Sequence, residues 1–388
     1  MSDHHPLESL GYGPRWQALF VEQAAALAAE HADEHLLCGR VVRVDRGSVL
    51  VTTEGATLRA APPARLSKAA AAGAVSAPAT ANTASPAAHA GAGLPVTGDW
   101  VVVAAPPDLD LPLIEVVLER ATAFTRGDPD GTSAQQVLAA NVDIVFVLHS
   151  VSRVPNLRRI ERELAAAWES GATPVVVLAK ADLSEDPAAD LAAVESVAPG
   201  VDVHMTSAVR GEGVAALREY GRGHRTIALI GPSGVGKSTL INVLIGEERQ
   251  ATREVRLSDG KGRHTTAARE LIVMPGGGVL LDTPGMRALA MTEDGQGIAA
   301  AFSDIDALAQ ECRFRDCEHT REPDCAVVRA VEDGALPAER LASYHKLQRE
   351  ARAAAVKTDA RLRADEARKW KILNKSLRRH YRATGKEP

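Results

Sequence analysis

The amino-acid sequence predicts a multidomain α/β protein, and three observations lead to that prediction. Residues 126–292 alternate apolar strands with helical segments, which is the pattern of a mainly parallel sheet covered by helices. Residues 36–125 contain short strands separated by glycine turns, which suit a small β-barrel. Three of the four cysteines fall within residues 312–325 of an otherwise helical part, residues 293–388. At 388 residues and 45% hydrophobic content, the chain is long enough for about two or three packed domains.

The chain begins with a helical extension, residues 1–35, that precedes the barrel. Its apolar face is formed by Trp16, Leu19, Phe20 and Leu27, so we expect it to pack on its neighbour. The barrel strands are predicted at Arg40–Val44, Ser48–Thr53, Asp99–Ala104 and Ile114–Leu118. An insert at 62–95, rich in Ala, Pro, Gly and Ser, interrupts them and is expected to be disordered. Trp100 fits equally well as a core residue and as a stacking platform for single-stranded nucleic acid.

The most specific motif lies between an apolar strand, Thr226–Ile230, and a helical segment that ends at Gly246. It fits the phosphate-loop pattern G-x-x-x-x-G-K-S/T and reads Gly231-Pro232-Ser233-Gly234-Val235-Gly236-Lys237-Ser238-Thr239. An ordinary glycine-rich turn is the alternative, and the flanking strand, the Lys-Ser pair and the helix all disfavour it. The motif predicts a nucleoside triphosphate site, with Lys237 at the β- and γ-phosphates and the Ser238 hydroxyl on Mg²⁺.

Two further segments fit the magnesium and γ-phosphate side of such a site. An apolar strand ends at Asp282, which is suited to support Mg²⁺, and Gly285 follows in a tight turn suited to sense the γ-phosphate. A polar segment holds His264, Thr265 and Thr266, and either threonine hydroxyl is a candidate to close onto Mg²⁺. Met286 occupies the position after Gly285, where many GTPases carry a water-orienting glutamine. His264 is the nearest substitute, with stabilisation of its own segment as the equal alternative.

Guanine-reading residues are predicted at the ends of two other strands. The strand Pro174–Ala179 leads into Lys180-Ala181-Asp182, and the strand Val201–Thr206 leads into Ser207-Ala208. The Asp182 carboxylate is suited to accept from N1–H and the exocyclic amine of guanine. The Lys180 stem is expected to pack on the base, with the Ala208 N–H near O6. These elements precede the phosphate loop, whereas in the usual GTPase order they follow it.

The cysteine cluster has the pattern Cys312-x4-Cys317-x-His319-x5-Cys325. A set of three cysteines and one histidine suits one tetrahedral, structural Zn²⁺ without a vacant catalytic position. Disulfides and coincidental core cysteines are the alternatives. No basic-then-apolar leader follows Met1, so a reducing cytosol is expected and zinc is favoured.

Charge is unevenly distributed along the chain. The net charge is −5, yet the segment from Leu341 to Pro388 carries 14 Lys and Arg against 5 Asp and Glu. A helix predicted at about Ala360–Tyr381 places Trp370, Leu373 and Leu377 on one stripe surrounded by cations. Contact with RNA and a solvated helix face explain this pattern equally well. No apolar run approaches the roughly 18 residues of a membrane span.

The order of the motifs, together with the segments around them, resembles the RsgA family of circularly permuted GTPases. The resemblance covers roughly residues 36–350 and rests on Gln136–Asp143, the phosphate loop, Gly262–Thr266, Pro275–Arg287 and the zinc segment. Many members carry an asparagine where this chain has Ala179, and that asparagine braces the base and the phosphate loop. Asp182 is retained.

The resemblance implies an OB-fold barrel, a circularly permuted P-loop GTPase domain and a C-terminal helical zinc domain. It further implies a Mg²⁺-dependent GTP-hydrolysing switch in late maturation of the small (30S) ribosomal subunit, which binds rRNA and is stimulated by that subunit. A cytoplasmic monomer without membrane contact is expected. Two other classes stay open: a P-loop ATPase or kinase, against which Lys180-Ala181-Asp182 and Ser207-Ala208 argue, and a zinc-stabilised RNA-binding scaffold that hardly turns nucleotide over.

Overall fold

A computed structural model shows how these segments are arranged. It describes residues 5–28, 35–45, 48–62, 94–105, 111–127, 135–247, 269–282 and 295–359, with 361–365, 367–368, 370–371 and 374. The predicted insert at 62–95 therefore lies almost entirely outside the described residues.

The N-terminal part is a helix packed on a five-stranded barrel. Helix α1 spans Pro14–Leu27, and strands β1 to β5 span His35–Asp45, Ser48–Thr53, Thr57–Ala60, Trp100–Ala105 and Leu113–Val117. Antiparallel pairing joins β1 to β2, β2 to β3, β1 to β4 and β4 to β5. A parallel bridge between Ala61 and Leu113 brings the end of β3 to β5. The resulting closed order β1-β2-β3-β5-β4 is a small antiparallel Greek-key barrel of the OB type.

Trp100 lies beneath the N-terminal extension and belongs to the core, with 1% of its surface exposed. The ring of Trp16 stacks on it with centroids 5.6 Å apart, and the ring of Tyr12 lies at 5.4 Å. The Arg40 guanidinium is 5.3 Å from its centroid. Because these groups cover the indole, Trp100 offers no open face on which a base could stack.

The central part is the predicted, mainly parallel sheet. Strands β6 (Ala123–Gly127) and β7 (Gln135–Ala140) first form a separate antiparallel pair, and the predicted boundary at 125/126 falls inside β6. The following elements are β8 (Ile144–Ser150), α2 (Leu157–Glu169), β9 (Thr173–Ala179), α3 (Pro187–Glu195), β10 (Val203–Thr206), α4 (Val214–Glu219), β11 (Thr226–Ile230), α5 (Lys237–Ile245), β12 (Glu270–Val273) and β13 (Val279–Asp282). Strands β10, β9, β8, β11 and β13 are neighbours in that order and run parallel.

One sheet connects the barrel to this central part. Strand β12 runs antiparallel to β13 on one side and to β1 on the other, where Arg43 pairs with Glu270. Neither β12 nor this junction is evident in the sequence pattern. Within the described residues, the connected sheet contains 11 strands.

The buried side chain of Arg40, in β1, holds the junction together. Its guanidinium donates to the carbonyl oxygen of Asn141 at 3.1 Å and to the hydroxyl of Thr226 at 2.8 Å. It also donates to the carbonyl of Leu10 in the N-terminal extension. Burial lowers the pKa of Arg40 to about 10, which still leaves the group charged at neutral pH. One side chain thus connects the extension, the barrel and the first residue of β11.

The C-terminal part is helical. It contains α6 (Gln296–Ala301), α7 (Ser303–Ala309), α8 (Ala326–Glu332) and α9 (Ala338–Thr358). Arg340 of α9 is 2% exposed and donates to Glu161 of α2 at 2.9 Å and to Asp304 of α7 at 2.5 and 2.6 Å. The described residues between 361 and 374 are helical, and Trp370 is 62% exposed. The rest of the predicted basic helix lies outside the described residues.

In the described part of the chain, we find no helix with the length and apolar character that crossing a bilayer requires.

Candidate nucleotide-binding site and metal centre

Those predicted nucleotide-binding segments that the structure describes meet at one edge of the sheet. Parallel strands present their carboxyl ends on the same side, which is where α/β sheets bind their ligands. The phosphate loop follows β11, the Lys180-Ala181-Asp182 turn follows β9, and the Ser207-Ala208 turn follows β10. Asp282 is the last residue of β13. Because these strands are close neighbours, residues far apart in sequence form a single site.

Backbone geometry explains the glycines of the phosphate loop. Gly231 has a φ of 141°, and a Cβ there would lie 2.4 Å from the carbonyl oxygen of Leu148 in β8. Gly236 has a φ of 111° and immediately precedes α5, which begins at Lys237. The positive φ favours glycine at both positions, and at Gly231 the missing Cβ also lets the loop pass close to β8.

Lys237 folds back over the phosphate loop. Its Nζ donates to the carbonyl oxygens of Gly231 at 2.8 Å and Pro232 at 2.7 Å. The ammonium group is therefore held beside the loop that the motif assigns to phosphate. The loop's other side chains share this turn: Ser233 is exposed, Val235 is buried, and Ser238 and Thr239 are half-buried at the start of α5.

The base-reading turn after β9 is attached directly to the phosphate loop. Lys180 adopts a left-handed conformation with φ 62°, and its Nζ donates to the carbonyl oxygen of Gly234 at 2.9 Å. The two residues are 54 positions apart in the sequence. The lysine stem therefore crosses from the end of β9 to the phosphate loop, where it can form one wall of a base pocket.

The Asp182 carboxylate is oriented by the neighbouring turn. Ser207, which is fully buried, donates from its hydroxyl to Oδ1 of Asp182 at 2.6 Å. This hydrogen bond is the main reason that the pKa of Asp182 is lowered, so the group is ionised at neutral pH. Ser207 and Glu212 also exchange two backbone hydrogen bonds, of 3.0 and 3.1 Å, that close the turn. Ala208 follows and is half-buried.

Not every predicted residue can be placed. Ala179 ends β9 and is 6% exposed, and Ala181 begins the short turn that contains Asp182. His264, Thr265, Thr266 and Gly285 lie outside the described residues.

The four predicted metal ligands converge in the C-terminal part. Their ligand atoms lie within 4.8 Å of one another in the group Cys312, Cys317, His319 and Cys325. The Sγ atoms of Cys312 and Cys325 are 3.8 Å apart, too far for a disulfide. Zinc–sulfur bonds of about 2.3 Å in a tetrahedron place two sulfur atoms about 3.8 Å apart. The cluster therefore fits a tetrahedral metal ion.

The surrounding chain favours the metal-binding form of two of these ligands, His319 and Cys312. Burial lowers the pKa of His319, which favours the neutral imidazole that coordinates metals. Burial alone would raise the pKa of Cys312, but hydrogen bonds from the backbone of Val327 and Ala326 lower it. The Cys325 sulfur accepts from the N–H of Val328 at 3.4 Å and so caps α8.

The sequence analysis did not identify the structural role of Glu322 in this metal centre. Its carboxylate accepts backbone N–H groups of Glu318 at 3.1 Å, Thr320 at 2.8 Å and Arg321 at 3.0 Å. These bonds lower the pKa of Glu322 to about 2. These hydrogen bonds shape the loop around His319. In the sequence, the role of Glu322 was indicated only by the presence of a glutamate between the last two metal ligands.

Comparison with known proteins agrees with this geometry. Residues 117–292 match the model of the family described as RsgA GTPase. A protein from Streptomyces avermitilis called small ribosomal subunit biogenesis GTPase RsgA is 45% identical over 374 residues, covering 95% of this chain and 92% of that protein. The chain belongs to the RsgA GTPase family. A second relative of the same name, from Methanosarcina acetivorans, is 41% identical over 75% of this chain and 79% of its own length.

Two solved structures share the fold of this RsgA-family member. YjeQ from Thermotoga maritima has a TM-score of 0.57 and 25% identity, covering 82% of this chain and 99% of that one. YloQ, described as a circularly permuted GTPase, has a TM-score of 0.55 and 23% identity, covering 83% of this chain and 97% of its own. Family membership identifies the chain as a GTP-hydrolysing enzyme. The shared fold with YloQ agrees with the permuted order that the motifs predicted.

Proposed function

We propose that this enzyme is a GTP-driven switch in late maturation of the small ribosomal subunit, acting in the cytoplasm as a monomer. The hydrogen bond from Lys180 to the Gly234 carbonyl is the observation that carries the nucleotide part of the proposal. It unites the base-reading turn and the phosphate loop in one site. Relatives named for small-subunit biogenesis that match over 95% of the chain support the ribosomal part.

In the proposed site, each residue has one task. Gly231 to Thr239 surround the phosphates, and Ala179 to Asp182 with Ser207 and Ala208 surround guanine. Lys237 neutralises charge that develops on the β- and γ-phosphates. Mg²⁺, when bound, neutralises the remaining phosphate charge, and Ser238, Asp282 and one of Thr265 or Thr266 are the residues that would hold it. Gly285 senses the γ-phosphate.

The free enzyme lacks an effective group to orient the attacking water. Met286 stands where a glutamine would orient water, so its side chain contributes no useful hydrogen bond. We assign that task to His264, which acts once its segment is ordered against the γ-phosphate. Intrinsic turnover is therefore slow, and the partner supplies the ordering.

We assign one structural Zn²⁺ to Cys312, Cys317, His319 and Cys325. The ion stabilises the C-terminal unit because metal binding and folding are coupled. It leaves no vacant coordination position for catalysis.

We propose that the chain is divided into four parts. These are the extension 1–35, the barrel 36–125, the GTPase unit 126–292 and the zinc unit 293–388.

Contact with rRNA is assigned to the cationic C-terminal part. Lys346 and Arg349 are exposed on α9, and the chain beyond Leu341 is strongly basic. Since Trp100 is covered, base stacking on that residue is not part of the proposal. Cations that meet phosphates release counterions, so binding of this kind weakens steeply with salt.

Co-sedimentation with isolated 30S and 50S subunits tests the proposal. Under a non-hydrolysable GTP analogue, the enzyme should pellet with 30S and not with 50S, and GDP should weaken that association. In parallel, 30S should accelerate GTP turnover strongly while ATP turnover stays at background. Turnover that is fast without subunits and unaltered by 30S would contradict the partner-activation model.

A further inference from the structure

The imidazole of His319 has one nitrogen on the side of the metal centre and one nitrogen that points elsewhere. Its Nδ1 lies 3.6 Å from the Sγ atom of Cys312 and 3.5 Å from that of Cys325. Zinc–nitrogen and zinc–sulfur bonds of about 2.0 and 2.3 Å in a tetrahedron place the two ligand atoms about 3.5 Å apart. Nδ1 is therefore the ligand atom. A neutral imidazole that binds a metal through Nδ1 carries its hydrogen on Nε2, and that N–H group needs an acceptor.

A carboxylate is a common acceptor for such a hydrogen, and Glu322 is the carboxylate that acts electrostatically on His319. Both of its oxygens already accept backbone N–H groups, from Glu318 on one side and from Thr320 and Arg321 on the other. Glu322 is thus committed to the backbone of the metal loop. This arrangement favours a different acceptor for the hydrogen of His319.

A second histidine, His345, lies on helix α9 beside the metal centre. Its ring is half-buried, and its Nε2 atom is buried without a hydrogen-bond partner among the residues that the structure describes. Burial and, after it, the imidazole of His345 lower the pKa of His319, so the two rings are close enough to interact. A buried polar atom without a partner destabilises the folded protein, and Nε2 of His345 therefore needs a donor.

We propose that Nε2 of His345 accepts a hydrogen bond from Nε2–H of His319, directly or through one bound water. His345 is then a positioning residue, because it fixes the tautomer and the ring orientation of a metal ligand without touching the ion. Helix α9 is also anchored to α2 through Arg340 and Glu161. The same helix therefore supports both the metal loop and the contact with the GTPase unit. The inference rests on the proposed zinc site.

Competition for zinc between the full-length, zinc-loaded protein and a chromogenic chelator tests this proposal. His345→Phe keeps a ring without an acceptor and should bind zinc about 10- to 100-fold more weakly, the usual cost of losing an outer partner of a metal ligand. His345→Gln keeps an acceptor oxygen and should stay within about threefold of the unmodified protein, since one neutral hydrogen bond is retained. His204→Phe is the matched control, because that half-buried imidazole of strand β10 pairs with the hydroxyl of Tyr220.

The order of the two His345 variants separates a hydrogen bond from packing. If the ring only filled space, phenylalanine would keep the zinc affinity and glutamine would lower it. That order would overturn the proposal. So would a zinc affinity in His345→Phe that equals the affinity of the unmodified protein.

NMR of the imidazole nitrogens gives a second readout on the unmodified, zinc-loaded protein, which needs no variant to fold. We expect the hydrogen of His319 on Nε2 and the hydrogen of His345 on Nδ1, which leaves Nε2 of His345 as an acceptor. A neutral His345 with its hydrogen on Nε2 would overturn the proposal, because that nitrogen could not accept.

The zinc content separates this inference from the function on which it rests. If the folded, unmodified protein holds no zinc, the assignment of the metal site fails. If it holds one zinc per chain and His345→Phe binds zinc as tightly, the metal site stands and only the role of His345 fails.

Discussion

The hydroxyl of Ser207 donates a 2.6 Å hydrogen bond to Oδ1 of Asp182. Ser207 is fully buried, whereas Asp182 is half-buried at the mouth of the proposed base pocket. The bond fixes the position of Oδ1 in the carboxylate. The carboxylate is thus oriented before any nucleotide arrives, which reduces the entropy lost on binding.

Removing that bond should weaken GTP binding and change its pH dependence. We expect Ser207→Ala to reduce GTP affinity by up to about tenfold, since the bond is made to a charged group and water replaces part of it. The pKa of Asp182 is lowered mainly by Ser207, so it should rise in the variant. Binding of GTP depends on the ionised carboxylate of Asp182. The affinity for GTP is therefore present above this pKa and is lost as the pH falls through it. The loss should therefore begin at a higher pH in the variant.

Titration of GTP affinity from about pH 3 to pH 7 gives the measurement, because the ordinary pKa of an aspartate is about 3.9. Ser196→Ala is the matched control, because that hydroxyl donates only to the carbonyl of Ala193 on an exposed helix end. An unchanged pH profile in Ser207→Ala would show that Ser207 does not set the protonation of the carboxylate.

Changing the carboxylate itself should change the base that is preferred. Asp182→Asn should reduce GTP affinity by about 10- to 100-fold, because a hydrogen bond to a charged group contributes about 1.5–3 kcal/mol. Xanthosine triphosphate carries an oxygen in place of the amine and should become the better ligand. Competition binding with GTP, ATP and xanthosine triphosphate measures the change. Equal affinity of the parent protein for ATP and GTP would refute the assignment.

Loss of one metal ligand should loosen the C-terminal part without abolishing nucleotide binding. Protein purified without added metal should contain about one Zn²⁺ per chain by elemental analysis. Cys325→Ser should lower that ratio and the unfolding temperature, because it removes one of the four metal ligands while serine can still cap α8 through the N–H of Val328. Cys38→Ser removes the one cysteine outside the cluster and should keep the zinc. Folded parent protein without zinc would rule the site out.

Loss of the buried Arg340 side chain should strongly lower the free energy of unfolding. Arg340→Leu leaves Glu161 buried without its cation, and such a change costs about 3–5 kcal/mol. Burial raises the pKa of Glu161, and Ser343 and Arg340 act against it. When the pKa of a carboxyl group is higher in the folded protein than in the unfolded chain, the folded protein becomes less stable as the pH rises through those pKa values. The variant's deficit should therefore grow from acid to neutral pH.

Urea unfolding at several pH values measures this deficit. The double change Arg340→Leu with Glu161→Leu should recover part of the stability, because no buried charge is then left unpaired. If the single variant shows the same stability loss at every pH, the buried carboxylate is not the cause.

Deleting residues 360–388 should weaken attachment to 30S subunits and leave intrinsic GTP turnover unchanged. The physical reason is the loss of cations that would meet phosphates. The full-length chain should show the steeper dependence of 30S affinity on salt. If the full-length and truncated chains show the same dependence of 30S affinity on salt, these cations do not contact RNA.

The local motifs were predictable because each is a short run of chain. The phosphate loop, the turn with Asp182 and the cysteine cluster all have fixed spacings that follow from their chemistry. Helix α5 spans Lys237–Ile245 and has Gly246 as its C-cap, so it ends where the sequence indicated and begins three residues before the predicted segment at Leu240. The predicted β2 and β11 have the same bounds in the structure.

Long-range relations were not predictable. Arg40 contacts groups that are 30, 101 and 186 positions away in the sequence, and Arg340 meets Glu161 across 179 positions. No periodicity encodes such pairs. Strand β12 has only four residues, too few to show an alternation, and the sharing of one sheet by the barrel and the GTPase unit depends on it. The orientation of Asp182 by Ser207 likewise needs the strand order β9–β10.

The pairing of Arg43 with Glu270 gives the barrel a mechanical connection to the catalytic edge. Strand β12 is hydrogen-bonded along its length to β13, whose last residue is Asp282. A linker would let the barrel move independently, whereas a shared strand ties the position of the barrel to that of Asp282. Asp282 pairs with Glu270, and Glu270 pairs with Arg43, so we expect a displacement of Asp282 to reach strand β1 of the barrel. In the opposite direction, we expect a partner that displaces the barrel to displace the strand that ends at Asp282.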